Sequence, residues 1–288
     1  MRISEGAGVR RGLIAAALAA WAVGGCGGES PDQAAPPAPR RVVCASPAVA
    51  EIVFALGCGD RVVGVSDFTD WPPGAAAKPS IGGALSPNRE RILALAPDLV
   101  LAQGRSEALG DFARAQGLAF RAQPLDTLED LRAAIADFAG ILGAEAEGRR
   151  LIAEMAAGFA AVPKVDPVLV FLALGHAPGD MSGLMTAGPG TFLSEIVARA
   201  GGMNVFGDVS APWPEISQET LIRRKPAIIL DFQSAPVDEA RRAALAADWE
   251  RLGFHAGQIR VLTEDYLLKP GPRAVQAAVR IAAALGGE

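Results

Sequence analysis

Four short stretches of this 288-residue chain carry side chains able to grip a small molecule. The segment TEDYLLKPGPR places Asp265, Tyr266, Lys269 and Arg273 close together. An acid, a phenol, an ammonium and a guanidinium can hydrogen-bond or ion-pair with a ligand; the alternative is a solvated loop. Phe68, Asp70 and Trp71 precede the Pro72-Pro73 pair, and Trp213 lies in the polar run SAPWPE. Tryptophan on a proline-stiffened polar loop is a contact surface more often than core. His176 follows directly on an apolar run, where a neutral imidazole facing a cleft could coordinate iron or cobalt; the alternative is a hydrogen-bonded loop residue. His255, in a short turn between Gly253 and Gly257, has no such setting. A bare divalent ion needs three or four converging ligands, and two histidines do not supply the usual cluster.

Catalytic patterns are missing. There is no GxSxG elbow, P-loop, HExxH or dinucleotide fingerprint, and the GAGVRRG near the start has the wrong spacing. An enzyme is therefore not expected, and no cofactor is implied beyond any metal that arrives inside a ligand. The formal charge of −5 disfavours nucleic acid as a partner. Besides Cys26, only Cys44 and Cys58 occur, without CxxC or zinc spacing, so buried free thiols are expected, with a disulfide open as the alternative.

The elements that must position these residues repeat. Arg41 to Ala45 is an apolar strand, Ser46 and Pro47 supply a cap and first-turn proline, and the helix that follows stops at Gly57. The same order returns with the strand Val168 to Leu174, a turn through Gly188 and Gly190, and a helix from Thr191 to Gly201. Inside these helices EIVFALG begins at Glu51 and EIVARAG at Glu195. A second pair matches too. Asn88 caps RERILALA before Pro97 and the strand DLVLA, and Ser217 caps QETLIRRK before Pro226 and the strand AIILDF. Glu90 and Glu219 each stand two residues after the cap and seven before the proline.

The chain therefore reads as α/β, with two Rossmann-like lobes that each hold a mainly parallel sheet, joined by one long rigid helix. The lobes are expected at 41–126 and 164–288, with a helical connection at 127–163. Thr127 and Asp130 make a capping box for the first connecting helix, and a second runs from about Ala144 to Val162, roughly 28 Å. A stiff connection implies a cleft that is largely preformed and small movements on binding. Ligands of open α/β sheets lie beyond the carboxyl ends of strands, which is where the loops of Trp71, His176 and Trp213 are expected.

The N-terminus reads as an export signal. Arg2, Arg10 and Arg11 precede an apolar stretch from Leu13 to Val23, about 16 Å as a helix and too short to span a bilayer of about 30 Å. The stretch ends in Val-Gly-Gly-Cys, which resembles a bacterial lipobox and implies removal of residues 1–25 and a lipid on Cys26. An ordinary cleaved signal is the alternative. Residues 1–25 hold three Arg and one Glu, so their removal takes the charge from −5 to −7. Residues 26–40, with four prolines and little that is apolar, read as a flexible tether.

SPAVAEIVFALGCGDRVVGVSDFTDWPP from Ser46, SPNRERILALAPDLVLA from Ser86, TAGPGTFLSEIVARAGGMNVF from Thr186 and the closing PGPR at Pro270 to Arg273 occur in this order across nearly the whole mature chain. In these stretches the chain resembles the helical-backbone class of periplasmic binding proteins, which serve importers of cobalamin, ferric siderophores and haem. The resemblance implies that Glu90 and Glu219 dock, one per lobe, against arginines of an ABC permease dimer. It implies a ligand contact at Trp71 and at Trp213, and an acid and a base near corrin amides at Asp265 and Lys269. Phe68, Tyr266 and His176 complete the expected ligand set, His176 as a potential axial ligand. Haem is disfavoured because Ile81 to Leu85 lacks the tyrosine that haem-binding members commonly have there. The expected cargo is a metal chelate, a corrinoid first and a ferric siderophore second, carried by a monomer attached to the membrane only through its lipid. A surface lipoprotein without ligand is the remaining alternative.

Overall fold

The structure is a computed structural model and describes residues 38–287. The signal at 1–25, Cys26 and all of the tether but its last three residues lie outside them. Two large sheets form, with the same strand order, beside a two-stranded antiparallel pair, Gly82–Gly83 and Ser86–Pro87. In the first, Val62–Val65, Val42–Cys44, Leu99–Gln103 and Ala119–Gln123 lie side by side, all parallel. In the second, Gly202–Asn204, Val168–Leu174, Ile228–Phe232 and Ile259–Leu262 repeat that order, again parallel. Two short antiparallel strands, Leu184–Met185 and Glu215–Ile216, extend the second sheet.

Local chemistry sets the helix starts. Ser46 accepts the N–H of Val49 with Pro47 in the first turn, and Thr191 accepts that of Ser194 at the equivalent helix, Phe192–Arg199. Asn88 and Ser217 cap Arg89–Ala94 and Gln218–Arg224 in the same way. Gly201, at φ +97°, ends its helix where a Cβ would stand 2.4 Å from the Val165 carbonyl oxygen, so no other residue fits.

The capping box of Thr127 and Asp130 forms, opening the helix Leu128–Leu142. Gly143, in the left-handed region, turns the chain into Glu145–Ala160, the long helix expected between the lobes, about 24 Å and slightly shorter than the pattern suggests. The two helices lie antiparallel, with Gly148 against Ala139. At one end Leu128 donates its N–H to Glu195 of the second lobe (2.9 Å). At the other Arg61 of the first lobe donates to the Leu142 carbonyl (2.7 Å).

One hydrophobic cluster runs through both lobes, from Val42, Ile52 and Leu101 through Leu131, Ile135 and Phe138 to Val170, Leu230 and Ile281. Each sheet also has its own cluster on its other face, around Val43, Val100 and Ile92 in the first and around Phe171, Ile229 and Trp249 in the second. Alternate residues of one strand thus serve opposite faces. Because the lobes share one core, changing their angle would open close-packed side chains, and the connection is stiff. Among the described residues no helix is long and apolar enough to cross a membrane.

Candidate functional site

The loop after Val62–Val65 and the segment between Ile259–Leu262 and the last helix, Ala274–Gly286, converge. Their centre is Arg273. Its guanidinium donates Nη2 to Glu51 Oε1 (2.6 Å) and Nε to Glu51 Oε2 (3.1 Å), the bidentate fork that suits a carboxylate. It also donates to Asp265 (2.7 and 3.0 Å). The same cation lies 5.2 Å from the Trp71 ring centre and 5.4 Å from that of Tyr266, within cation–π range. Lys269 reaches Asp265 at 3.2 Å and approaches Asp70 at 3.9 Å.

Glu51 and Arg273 stand 222 residues apart, on different lobes, and both are buried. Gly271 is what lets the chain pass, since a Cβ there would lie 2.9 Å from Glu51 Oε2. Glu195, the repeat's counterpart of Glu51, also ties two parts of the molecule, by capping the connecting helix at Leu128. Burial works against the charge on Arg273, but the bonds from Glu51 and Asp265 outweigh it and hold the guanidinium protonated well above its usual range. Asp265 is held below the usual carboxylate range, first by Arg273 and then by Lys269. Tyr266 is pushed up, mainly by burial.

Five of the residues singled out in the sequence, Asp70, Trp71, Asp265, Tyr266 and Lys269, thus come together around Arg273. Trp71 keeps 45% of its surface exposed and follows Phe68, whose backbone is left-handed (φ +63°) and whose side chain is 80% exposed. A non-glycine residue in that conformation is strained by about 1–3 kcal/mol and is typical of contact loops. Trp213 is 37% exposed on a loop pinned by Thr186 and Gly188, which donate to the Pro214 and Pro212 carbonyls. Among the described residues, no hydrogen bond or ring contact joins it to the cluster.

His176 is a correction. Its side chain is fully buried behind the second sheet, not turned to a cleft. Nδ1 bonds Asp231 at 2.6 Å and Nε2 bonds Asp248 at 3.1 Å, so neither nitrogen is open to a metal. Trp249 packs edge-on at 4.8 Å and donates its indole N–H to Asp231 (2.8 Å). Burial opposes protonation, yet the two carboxylates raise the imidazole above its ordinary value. A raised folded value stabilises fully below about pH 6.5 and loses that contribution as pH climbs through the folded value. Ring nitrogen NMR shifts should therefore report a His176 that is more than half doubly protonated at about pH 6.5, with thermal stability falling as pH rises through the folded value. A neutral ring at pH 6.5 would refute this.

Glu90 and Glu219 are both exposed, each in the first turn of its capped helix. Glu219 is held below the usual range by its own backbone N–H and by the Ser217 hydroxyl, and so stays charged. Cys44 and Cys58 are buried free thiols, both pushed up chiefly by burial, and Cys44 the further. Among the described residues, no group of three or more His, Cys, Asp or Glu side chains could hold a metal ion.

Sequence reasoning did not assign Glu51 a role in the site, although the signal is there: a carboxylate inside the apolar run AVAEIVFAL must be exposed or paired. Asp231, within the apolar strand AIILDF, carries the same signal for the His176 network.

Comparison with known proteins agrees with this architecture. The family described as periplasmic binding protein matches residues 42–243. The vitamin B12-binding protein of Pectobacterium atrosepticum is 29% identical over 263 residues, covering 86% of this chain and 88% of its own length. Among solved structures, the periplasmic heme-binding protein RhuT from Roseiflexus sp. RS-1 superimposes with a TM-score of 0.70 at 29% identity, covering 85% of this chain and 97% of that one. The periplasmic vitamin B12-binding protein BtuF of Vibrio cholerae gives 0.68 at 24% identity, covering 86% and 97%, a likeness of fold. With twin parallel sheets, a stiff helical connection and a polar, aromatic cluster between the lobes, the chain belongs to the periplasmic binding protein family, a family of substrate-binding proteins.

Proposed function

We propose that the protein is an exported lipoprotein that captures a corrinoid between its lobes and delivers it to an ABC importer. The observation that carries this reading is the charge state of the central cluster. Glu51, Asp70 and Asp265 face Lys269 and Arg273, three carboxylates against two cations, and each cation lies against carboxylates. Such a site has no spare positive charge for a catecholate chelate or for the propionates of haem. It suits a large guest edged with amides and lacking excess negative charge, with Trp71 and Trp213 as apolar contacts. Relatives named vitamin B12-binding protein support the same choice.

In this reading residues 1–25 are removed and Cys26 carries the lipid. The protein works as a monomer without a cofactor of its own, because the cobalt arrives inside the guest. The lobes at 41–126 and 164–288 and the connection at 127–163 then act as one stiff receptor. A ferric hydroxamate is the second reading, favoured by Tyr266 beside Arg273.

Calorimetry with cobalamin, cobinamide and a ferric hydroxamate tests the choice. Corrinoids should bind at micromolar Kd or tighter, and Trp71→Ala and Trp213→Ala should each weaken them about 30-fold, the effect of losing an aromatic anchor worth about 2 kcal/mol. Silence with both corrinoids would overturn the assignment, and tight hydroxamate binding would replace it.

A further inference from the structure

A cavity of about 770 Å³ lies away from the interlobe cluster, and its lining includes none of that cluster's residues. Three helices enclose it: the start of Leu128–Leu142, the second half of Glu145–Ala160, and the end of Phe192–Arg199. Its floor is apolar. Ile135 is fully buried, and Leu128, Ile152, Met155 and Phe159 pack partly buried against the shared core. From Ile152 to Ala160 the groove follows its helix for about 12 Å. A concave apolar pocket of roughly 300–1,000 Å³ with a few polar groups at its edge is the usual form of a small-molecule site.

The rim inverts the charge of the molecule. Arg132, Lys164 and Arg199 stand against Glu129 and Glu195, three cations to two carboxylates, on a chain of net charge −5. Both carboxylates are engaged, Glu129 with Arg132 and Glu195 with the backbone N–H of Leu128. Among the described residues, Lys164 and Arg199 have no carboxylate partner within ion-pair distance. Arg199 instead lies over the Phe159 ring, 4.8 Å from its centre, at the edge of the apolar floor.

We propose that this groove is a binding site for a free amphipathic carboxylate, whose aliphatic tail lies along Ile135, Ile152, Met155 and Phe159 and whose head group pairs with Arg199 and Lys164. An uncharged alkane would leave both cations without a partner, and a cationic amphiphile would meet them directly. The tail that fits the groove's length is of medium size. The site is independent of what the interlobe cluster holds.

The test is calorimetry of the full chain with laurate, alongside dodecylamine and vesicles of phosphatidylglycerol, with circular dichroism and thermal melting of each variant as the control for folding and corrinoid titration run in parallel. Laurate should bind saturably at one site per chain, and dodecylamine at least tenfold more weakly. Lys164→Glu with Arg199→Glu should weaken laurate at least tenfold, and Met155→Trp, which fills the groove, should do the same. Trp71→Ala should leave laurate binding unchanged. The parallel corrinoid titration separates the two proposals, because laurate can bind whether or not a corrinoid does. Absence of saturable laurate binding, equal affinity for dodecylamine, loss of laurate on Trp71→Ala, or capture by vesicles without binding of free laurate would each overturn the site.

Discussion

Replacing Glu90 and Glu219 together by alanine is expected to abolish delivery of the guest while its affinity for the purified protein stays the same. The two carboxylates are exposed, each in the first turn of a helix whose cap is made by another residue, Asn88 or Ser217, so the helices survive the change. Loss of the favourable interaction with the helix dipole costs about 0.3–1 kcal/mol per site. What changes is recognition. A core shared by both lobes holds the two negative points at one separation, and fixed charges of that kind set orientation and encounter rate on a partner of opposite sign. Uptake of labelled cobalamin into cells or transporter-loaded vesicles, compared with calorimetry on the same variant, makes the measurement. Retained uptake would remove both residues from docking.

The second large effect belongs to Arg273. Arg273→Met should destabilise the protein by about 3–5 kcal/mol, because it strands the buried Glu51 carboxylate without its fork partner. Guest affinity should fall too, since Asp265 and the Trp71 ring both rest on the same guanidinium. The companion variant, Glu51→Met with Arg273→Met, should regain most of the stability by removing the stranded charge, yet keep the weakened affinity. Urea unfolding read beside ligand titration separates the two consequences. If the single variant loses less than about 1 kcal/mol, the pair is not the strut described here.

The halves of the molecule were legible for a local reason. Capping by Ser46, Asn88, Thr191 and Ser217, the stop at Gly201, and the short apolar run LVLA act over a few residues, so each element shows in its own stretch of chain. Two copies of the same signals in the same order then imply two sheets of the same order. The loops at Trp71 and at Asp265 to Arg273 could be marked for similar reasons, since proline and polar neighbours put them outside the elements.

His176 shows where such reasoning stops. A histidine just past a strand can turn toward a cleft or back under the sheet, and only the positions of Asp231 and Asp248, 55 and 72 residues away, made the second choice.

By itself, then, the sequence of this protein determined the duplicated α/β halves, the helical rod, and the matched placement of Glu90 and Glu219, because periodicity and capping are decided among neighbours in the chain. Only the tertiary structure decided that Glu51 meets Arg273, that the Trp71 and Tyr266 rings both lie beside one guanidinium, and that a cationic rim borders an apolar groove lined by Phe159. These partners lie on different elements, and a buried charge takes whichever partner the packed chain brings within reach.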